Sequence, residues 1–444
     1  MKVVFFVHCF FPNHFYGTET YTLELAKHYQ DFGHEVIVVS AIFQGEPRQD
    51  VLLKQYCFQG IPVVSIDKNH LPHSRIKETY YQADMKAVFH ELMDELAPDV
   101  VHVTHLINHT ATLLEVTQAR GIPTYATFTD FFGFCLNNKL ENAHGGLCAG
   151  PLASRLNCVA CHLKAATDAG GPGGILRYAK YPKVAEAMAY GLDVIRRFPG
   201  VCKGPTDGMV EDIVHRPDIL STLYNNAYRA AVAPTHFLGD AYKKNGISTP
   251  LYYIHFGVDI DRAAKPVRSR EHIPTIGFIG QIAPHKGTDL LLSAFNRLSK
   301  GAARLLVYGP ADQDRQYMES LERLADTSLI EFRGTFKKES MLTVMADLDL
   351  LVIPSRWYEN SPLVLLNALA THTPVLVSDV AGMTEFLNPG INGYAFERGN
   401  VDSLYQYLHK LVSHPDDLYA LTETTNYERT TKNMAQETFE LYSI

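Results

Sequence analysis

Pro354-Ser355-Arg356-Trp357-Tyr358-Glu359-Asn360-Ser361-Pro362-Leu363 is the stretch whose reading decides the fold. The apolar run before it, 350–353, reads as a buried strand, and 363–370 reads as a helix. Ser361 is a good N-cap and Pro362 a good first helical residue. A strand end thus delivers a carboxylate, Glu359, beside a helix N-terminus. The unpaired N–H groups and positive dipole end of such a terminus suit an anionic ligand. Open α/β sheets bind ligands at the carboxyl ends of their strands.

The same strand–loop–helix pattern occurs upstream. A strand at 275–279 leads into Gly280-Gln281-Ile282-Ala283-Pro284-His285-Lys286-Gly287 and then a helix. Lys286 offers a point charge for phosphate, and Gly287 permits close approach of backbone. Alone, a Lys-Gly pair reads as a solvated loop; its weight comes from its place relative to Glu359. A third loop, Phe11-Pro12-Asn13-His14-Phe15-Tyr16-Gly17-Thr18-Glu19, joins the first strand to the first helix. Gly17 either brings backbone toward a ligand or serves a turn.

Short apolar runs alternate with helical patterns over most of the chain, as in a parallel sheet with crossover helices. The strands expected are 3–8, 35–40, 100–103, 123–128, 229–233 and 251–255, then 275–279, 304–308, 330–333, 350–353 and 374–378. A helix over about 18–31 closes at Gly33, where a C-terminal glycine belongs. The rhythm stops from 140 to about 226, a stretch holding clustered cysteines, the turn Gly170-Gly171-Pro172-Gly173-Gly174 and several helices. Residues 261–274, with Lys265-Pro266-Val267-Arg268 and Pro274, read as a linker. The fold class is α/β with two strand–helix domains. No G-x-G-x-x-G follows the first strand, which disfavours a nicotinamide dehydrogenase.

A chain of 444 residues with 46% hydrophobic and 20% charged residues has ample material for two or three cores. Its net charge of −8 argues against nucleic acid as a partner. No stretch approaches the ~20 apolar residues of a membrane span. The opening Met1-Lys2-Val3-Val4-Phe5-Phe6-Val7 reads as a buried strand rather than a signal peptide, since the run stops at His8 without a cleavage site. Seven cysteines, an odd number, favour a reducing compartment, and a cytoplasmic location is expected.

Together the three loops, Gly33-His34-Glu35-Val36, Pro98-Asp99-Val100-Val101-His102, Gly257-Val258-Asp259, and the run from Pro354 through Pro374-Val375 and Glu385 to Gly393 resemble one family. It is the retaining glycosyltransferase family 4, also called glycosyltransferase group 1. The resemblance implies the GT-B architecture of two facing Rossmann-like domains. It implies an N-terminal acceptor-side domain, 1–265, carrying a Cys-rich helical insertion at about 135–228, and a C-terminal donor-binding domain, 266–424. A C-terminal helix in 425–444 is expected to cross back to the first domain. The implied function is transfer of a sugar from a UDP- or GDP-linked donor to a glycan, lipid-linked or small-molecule acceptor, with no obligatory metal.

By the same resemblance Lys286 holds the donor diphosphate, Glu359 contacts the donor sugar, and the helix at Ser361-Pro362-Leu363 faces the diphosphate. Gly17, Gln281, Asn360 and Asn367 complete the donor set. His102, His105 and Asp130, at strand ends, are the acceptor-side candidates, with His105 and Asp130 in the catalytic set. Three positions depart from the family pattern. Asn367 stands where the second of the paired glutamates is usual, Gln281 where an arginine accompanies the lysine, and Thr129 where histidine precedes Asp130. They support an alternative, a catalytically weakened glycosyltransferase-like binding protein. A sugar-nucleotide epimerase is a third reading, which the Glu359 segment opposes.

Cys135, Cys148, Cys158 and Cys161 are spaced C-x12-C-x9-C-x2-C. Such a set suits structural zinc, with His144 and His162 as alternative ligands; free thiols and an iron–sulfur or redox role are the other readings. Residues 155–203 hold eight Lys/Arg against three Asp/Glu, interleaved with Tyr178, Tyr181, Tyr190 and Phe198. That is either a solvated helical face or a docking surface for anionic lipid headgroups or a phosphate-bearing lipid-linked acceptor, which would make the protein peripheral at the inner membrane face.

Overall fold

Val3, Val4, Phe5 and Phe6 are all fully buried, as expected of a strand covered on both faces of a parallel sheet. We describe a computed structural model covering residues 1–170, 174–197, 205–262, 265–266, 268–269, 272–325 and 328–443. The Gly171–Gly173 centre of the glycine turn, Phe198 and Lys203 of the basic stretch, and Val267 of the expected linker lie outside the described residues. The chain divides into two units, Met1–His255 with Met434–Ile444, and Phe256–Asn433.

The first unit holds β1 (Lys2–Phe6), β2 (Glu35–Ile42), β3 (Leu53–Phe58), β4 (Ile61–Asp67), β5 (Val100–Val103), β6 (Thr124–Thr127), β7 (Tyr228–Ala233) and β8 (Leu251–Tyr253). Their order is β3-β4-β2-β1-β5-β6-β7-β8. All neighbours are parallel except β3, which runs antiparallel to β4 and covers the sheet edge. The order reverses direction at β1, so the switch point of this sheet lies between β1 and β5. Three helices, Leu156–Asp168, Pro182–Arg196 and Pro205–Ala227, fill the insertion between β6 and β7.

The second unit holds β9 (Thr275–Ile279), β10 (Arg304–Tyr308), β11 (Ile330–Gly334), β12 (Leu350–Ile353), β13 (Val375–Ser378) and β14 (Gly393–Phe396). They form an all-parallel sheet of order β11-β10-β9-β12-β13-β14. This is the doubly wound arrangement, with its switch point between β9 and β12. A core of Leu, Ile, Val and Phe, including Leu291, Leu305, Val352 and Phe396, lies under the crossover helices.

The boundary falls at 255/256, ten residues before the 265/266 expected from the Pro-bearing stretch. The cause lies in three side chains of that stretch. Arg262 donates to the carbonyls of Val258, Ile260, Tyr427 and Arg429. Lys265 donates to Met345 and Leu348 carbonyls, and Arg268 pairs with Asp349 at 2.8 Å. These bonds bind the segment to the second unit. The chain's last residues pack on the first unit's sheet: Tyr442 bonds His102 at 2.6 Å, and Phe439 stacks on His34.

Candidate functional site

The switch point of the second sheet brings together the loops after β9 and β12. Gly287 adopts φ +74°, and a Cβ there would lie 2.0 Å from the Pro354 carbonyl oxygen, so only glycine lets the two loops touch. At Gly382, φ +89°, a Cβ would fall 1.6 Å from the Glu359 carbonyl oxygen, so the loop after β13 braces Glu359 in the same way. Arg356 and Asp289 add a two-pronged ion pair at 2.8 and 2.6 Å, and Arg356 also donates to the Pro284 carbonyl.

These braces set Lys286 Nζ 2.7 Å from Glu359 Oε1. The same oxygen accepts from Ser355 Oγ at 2.8 Å and from Trp357 Nε1 at 2.9 Å. Among the described residues no donor reaches Glu359 Oε2. Burial pushes the Glu359 carboxyl up, but the charge and hydrogen bond of Lys286 and the bonds from Ser355 and Trp357 outweigh it and hold it below the ordinary carboxylate value. Lys286 also lies 5.0 Å over the Trp357 ring, against which the His285 ring packs at 3.8 Å.

The helix Leu363–Ala370 starts beside this pair, but its N-cap is Pro362, not Ser361. Ser361 takes φ +54°, which turns its hydroxyl away from the capping position; the buried Oγ has no partner among the described residues. Leu363 opens the helix, and Asn360 lies in the loop before it. Asn367 bonds back to the Leu363 carbonyl at 2.9 Å, one turn earlier. Gln281, half-buried after β9, makes no side-chain hydrogen bond to another described residue.

Gly17, His105 and Asp130 belong to the first unit. Gly17 opens the helix Gly17–Asp31 and is exposed; a Cβ there would meet nothing within 4 Å, so no packing within its own unit demands glycine. At the first sheet's switch point His105 Nδ1 accepts from the Ile107 N–H at 3.1 Å, so its proton sits on Nε2 and is donated to Asp130 Oδ2 at 2.8 Å. Asp130 Oδ1 accepts from the Phe132 N–H at 2.8 Å. This dyad borders a small cavity lined also by Thr129, Tyr224 and Tyr242. His102 is a correction to the acceptor-side set. It is wholly buried, both ring nitrogens are engaged, by Tyr442 and by Thr127 at 2.9 Å, and burial lowers its pKa to about 3. It is a core residue.

Sequence reasoning missed three neighbours of that dyad. His8 packs on His105 at 4.3 Å between ring centroids. Burial, then the adjacent His105, His109 and His14, hold His8 well below its ordinary value. His8 Nε2 and Cys9 Sγ both approach Glu19 Oε1, at 3.3 and 2.8 Å, and the buried Oε2 of Glu19 has no partner among the described residues. The signal was the glutamate at the helix start, two positions past Gly17.

The four clustered cysteines border one small cavity in the insertion, with Asn137, Glu141 and Asn157. All four are free thiols. Burial, and then the neighbouring thiols, push Cys158 and Cys161 up to about 12. Of the two alternative ligands, His144 pairs with Glu186 at 2.8 Å, and His162 is held below its ordinary value by burial.

Comparison with known proteins agrees with this geometry. Residues 273–414 match the family described as glycosyl transferases group 1, and residues 15–142 match glycosyltransferase family 4. An uncharacterised glycosyltransferase of Methanocaldococcus jannaschii is 30% identical over 173 residues, 38% of this chain and 44% of that protein. The D-inositol 3-phosphate glycosyltransferase of Mycolicibacterium smegmatis is 32% identical over 152 residues, 32% of this chain and 35% of that one. The chain thus spans less than half the length of the curated relatives it matches. In fold it is similar to the Anabaena protein HepE, solved in complex with UDP, at a TM-score of 0.65 and 14% identity over the whole of both chains. With two doubly wound sheets and family matches in both units, the chain belongs to the group 1, family 4 glycosyltransferases.

Proposed function

We propose that the protein transfers a glycosyl group from a nucleoside diphosphate sugar, UDP- or GDP-linked, to a glycan, lipid-linked or small-molecule acceptor with retention of anomeric configuration. The observation that carries this reading is the Lys286–Glu359 pair at the carboxyl ends of β9 and β12, beside the start of helix Leu363–Ala370. Lys286 supplies a mobile positive charge for the diphosphate, and the first N–H groups of the helix supply donors for it. As the glycosidic bond to the diphosphate lengthens, negative charge grows on the leaving oxygen, and Lys286 stabilises it. Glu359 holds Lys286 through Oε1 and offers Oε2 to a hydroxyl of the donor sugar. Gln281 adds a neutral hydrogen bond where a full charge would act more strongly. On the acceptor side Asp130, held by His105 and the Phe132 N–H, orients the attacking hydroxyl. Other cations are not required by this scheme.

Glycosyl transfer from UDP- and GDP-sugars, followed by release of free UDP or GDP, tests the reading. Donor binding without turnover on any acceptor or water would favour the weakened binding protein instead; Asn367, tied to its own helix, and the uncharged Gln281 are the residues behind that second reading.

The insertion supports a peripheral membrane role. Ile175, Tyr178, Tyr181 and Tyr190 are exposed there, and Arg177 and Lys180 lie over the rings of Tyr178 and Tyr181. Apolar rings beside cations suit a surface of anionic lipid. No helix among the described residues is long and apolar enough to cross a membrane. Sedimentation with anionic but not neutral vesicles, reversed by salt, is the expected result; absent or salt-insensitive binding contradicts it.

A further inference from the structure

Three observations in the insertion point to one feature outside the donor site. The first is convergence. Cys158 and Cys161 stand three residues apart on the first turns of helix Leu156–Asp168, and Cys135 and Cys148, from the preceding loops, border the same cavity. The thiols bond to wall carbonyls: Cys135 donates to Asn137 Oδ1 at 2.8 Å, Cys148 to Gly150 O at 3.4 Å and Cys161 to Glu141 O at 3.8 Å. As the side chains stand, no three of these sulfurs lie within one ion's reach, so coordination requires the thiols to turn inward.

The second is a buried charge with no counter-charge among the described residues. Arg216, on helix Pro205–Ala227, is 2% exposed. Its guanidinium stacks on Phe132 at 4.8 Å and donates through Nη2 to the Phe132 carbonyl at 2.6 Å. Among the described residues Nε and Nη1 have no partner. A buried guanidinium left this way costs several kcal/mol unless an anion accompanies it. Phe132 stands three positions before Cys135, so this contact sets the guanidinium beside the loop that carries the first thiol.

The third is the weakness of the insertion's own core. Ala143, Ala160, Ala179, Ala185 and Ala189 are five of its nine fully packed residues. So small a set of methyl groups gives little hydrophobic stabilisation, and small cores of this kind are stapled by metals or disulfides.

We propose that Cys135, Cys148, Cys158 and Cys161 bind one zinc ion as four thiolates and that Arg216 is the buried counter-charge of that centre. Binding releases four protons, and the resulting tetrathiolate carries net charge −2, which the Arg216 guanidinium partly neutralises. Arg216 is a positioning residue: it touches no metal and acts through the thiolates.

The test uses the full chain without an affinity tag, incubated with zinc under reducing conditions and desalted. We expect about one zinc per chain by elemental analysis, and with cobalt in its place the intense sulfur-to-metal absorption of a tetrahedral thiolate centre. Cys158→Ser/Cys161→Ser lowers zinc to a small fraction of one per chain. Because that variant risks misfolding, removal of zinc from the unaltered protein by a chelator, and its return on adding zinc, is measured alongside. Arg216→Met weakens zinc affinity about 10- to 100-fold in competition with a chromophoric chelator, whereas Arg216→Lys retains most of it. Less than about 0.2 zinc per chain after reconstitution, or iron in its place, overturns the proposal, given how tightly structural zinc is held. Equal zinc affinity in all three Arg216 forms overturns the counter-charge.

Discussion

Lys286→Met separates the structural work of the Lys286–Glu359 pair from its work on a ligand. The two charges lie 2.7 Å apart with side-chain exposures of 21% and 10%, a gross attraction of roughly 6 kcal/mol at an effective dielectric of 20. Desolvation cancels much of this. Removing one partner of a fully buried pair costs about 3–5 kcal/mol, and partial exposure here reduces that to about 2–3 kcal/mol. Replacing both partners leaves no stranded charge, so Lys286→Met/Glu359→Gln is expected within about 1 kcal/mol of the unaltered protein. Trp357 is the chain's single tryptophan and donates to Glu359, so its fluorescence in urea follows the unfolding of the second unit alone. Nucleotide binding behaves differently. Both variants lack the cation, and neither recovers affinity for UDP or GDP. Equal stability of Lys286→Met and the unaltered protein, or a double variant no more stable than the single one, would refute the pairing. Recovery of nucleotide affinity in the double variant would refute the phosphate role.

Other expectations follow from the same geometry. Asn367→Glu restores a charged acceptor at the second turn of its helix and should tighten nucleotide-sugar binding about five-fold, a gain of about 1 kcal/mol measured by calorimetry. Glu359 has a folded pKa below its ordinary 4.5, so its stabilisation is present above that value and lost as pH falls through the lower folded one. The melting-temperature gap between the unaltered protein and Glu359→Gln should be constant from about pH 8 to 5 and shrink below about 4.5; a gap unchanged at pH 3 contradicts this. Asp130→Asn should lower transfer about 100-fold while leaving donor affinity within two-fold, read from turnover and calorimetry together. Gly287→Ala should abolish donor binding and destabilise the second unit, since its Cβ meets the Pro354 carbonyl.

The buried strands were the most legible part of the fold. β5, β9, β10 and β12 match their expected limits to the residue, because strands covered on both faces read as near-continuous apolar runs. β3 and β4 were not legible. They join through Gln59-Gly60, both at positive φ, and a glutamine there carries none of the Asn-Gly signal of a tight hairpin. β14 was also missed, since Gly393 opens it and a half-exposed Tyr394 breaks the apolar run. At the site, Lys286 and Glu359 could be named from their loops, yet their contact spans 73 positions and only the sheet order places them together. Ser361 failed as a cap because its backbone takes φ +54° rather than the extended conformation of a cap, and His102 failed as a site residue because Tyr442 closes over it. Arg216 carried no sequence signal: its significance is that two of its nitrogens are buried without partners among the described residues.

The central claim is that the second unit's switch point binds the diphosphate of a nucleotide sugar. Trp357 lies against both Lys286 and Glu359, so its emission during titration with UDP, GDP and their sugars is the most direct measurement. A saturable change is expected for at least one nucleotide in the unaltered protein and none in Lys286→Met. No change with any nucleotide at millimolar concentration, or an equal change in both proteins, would contradict it.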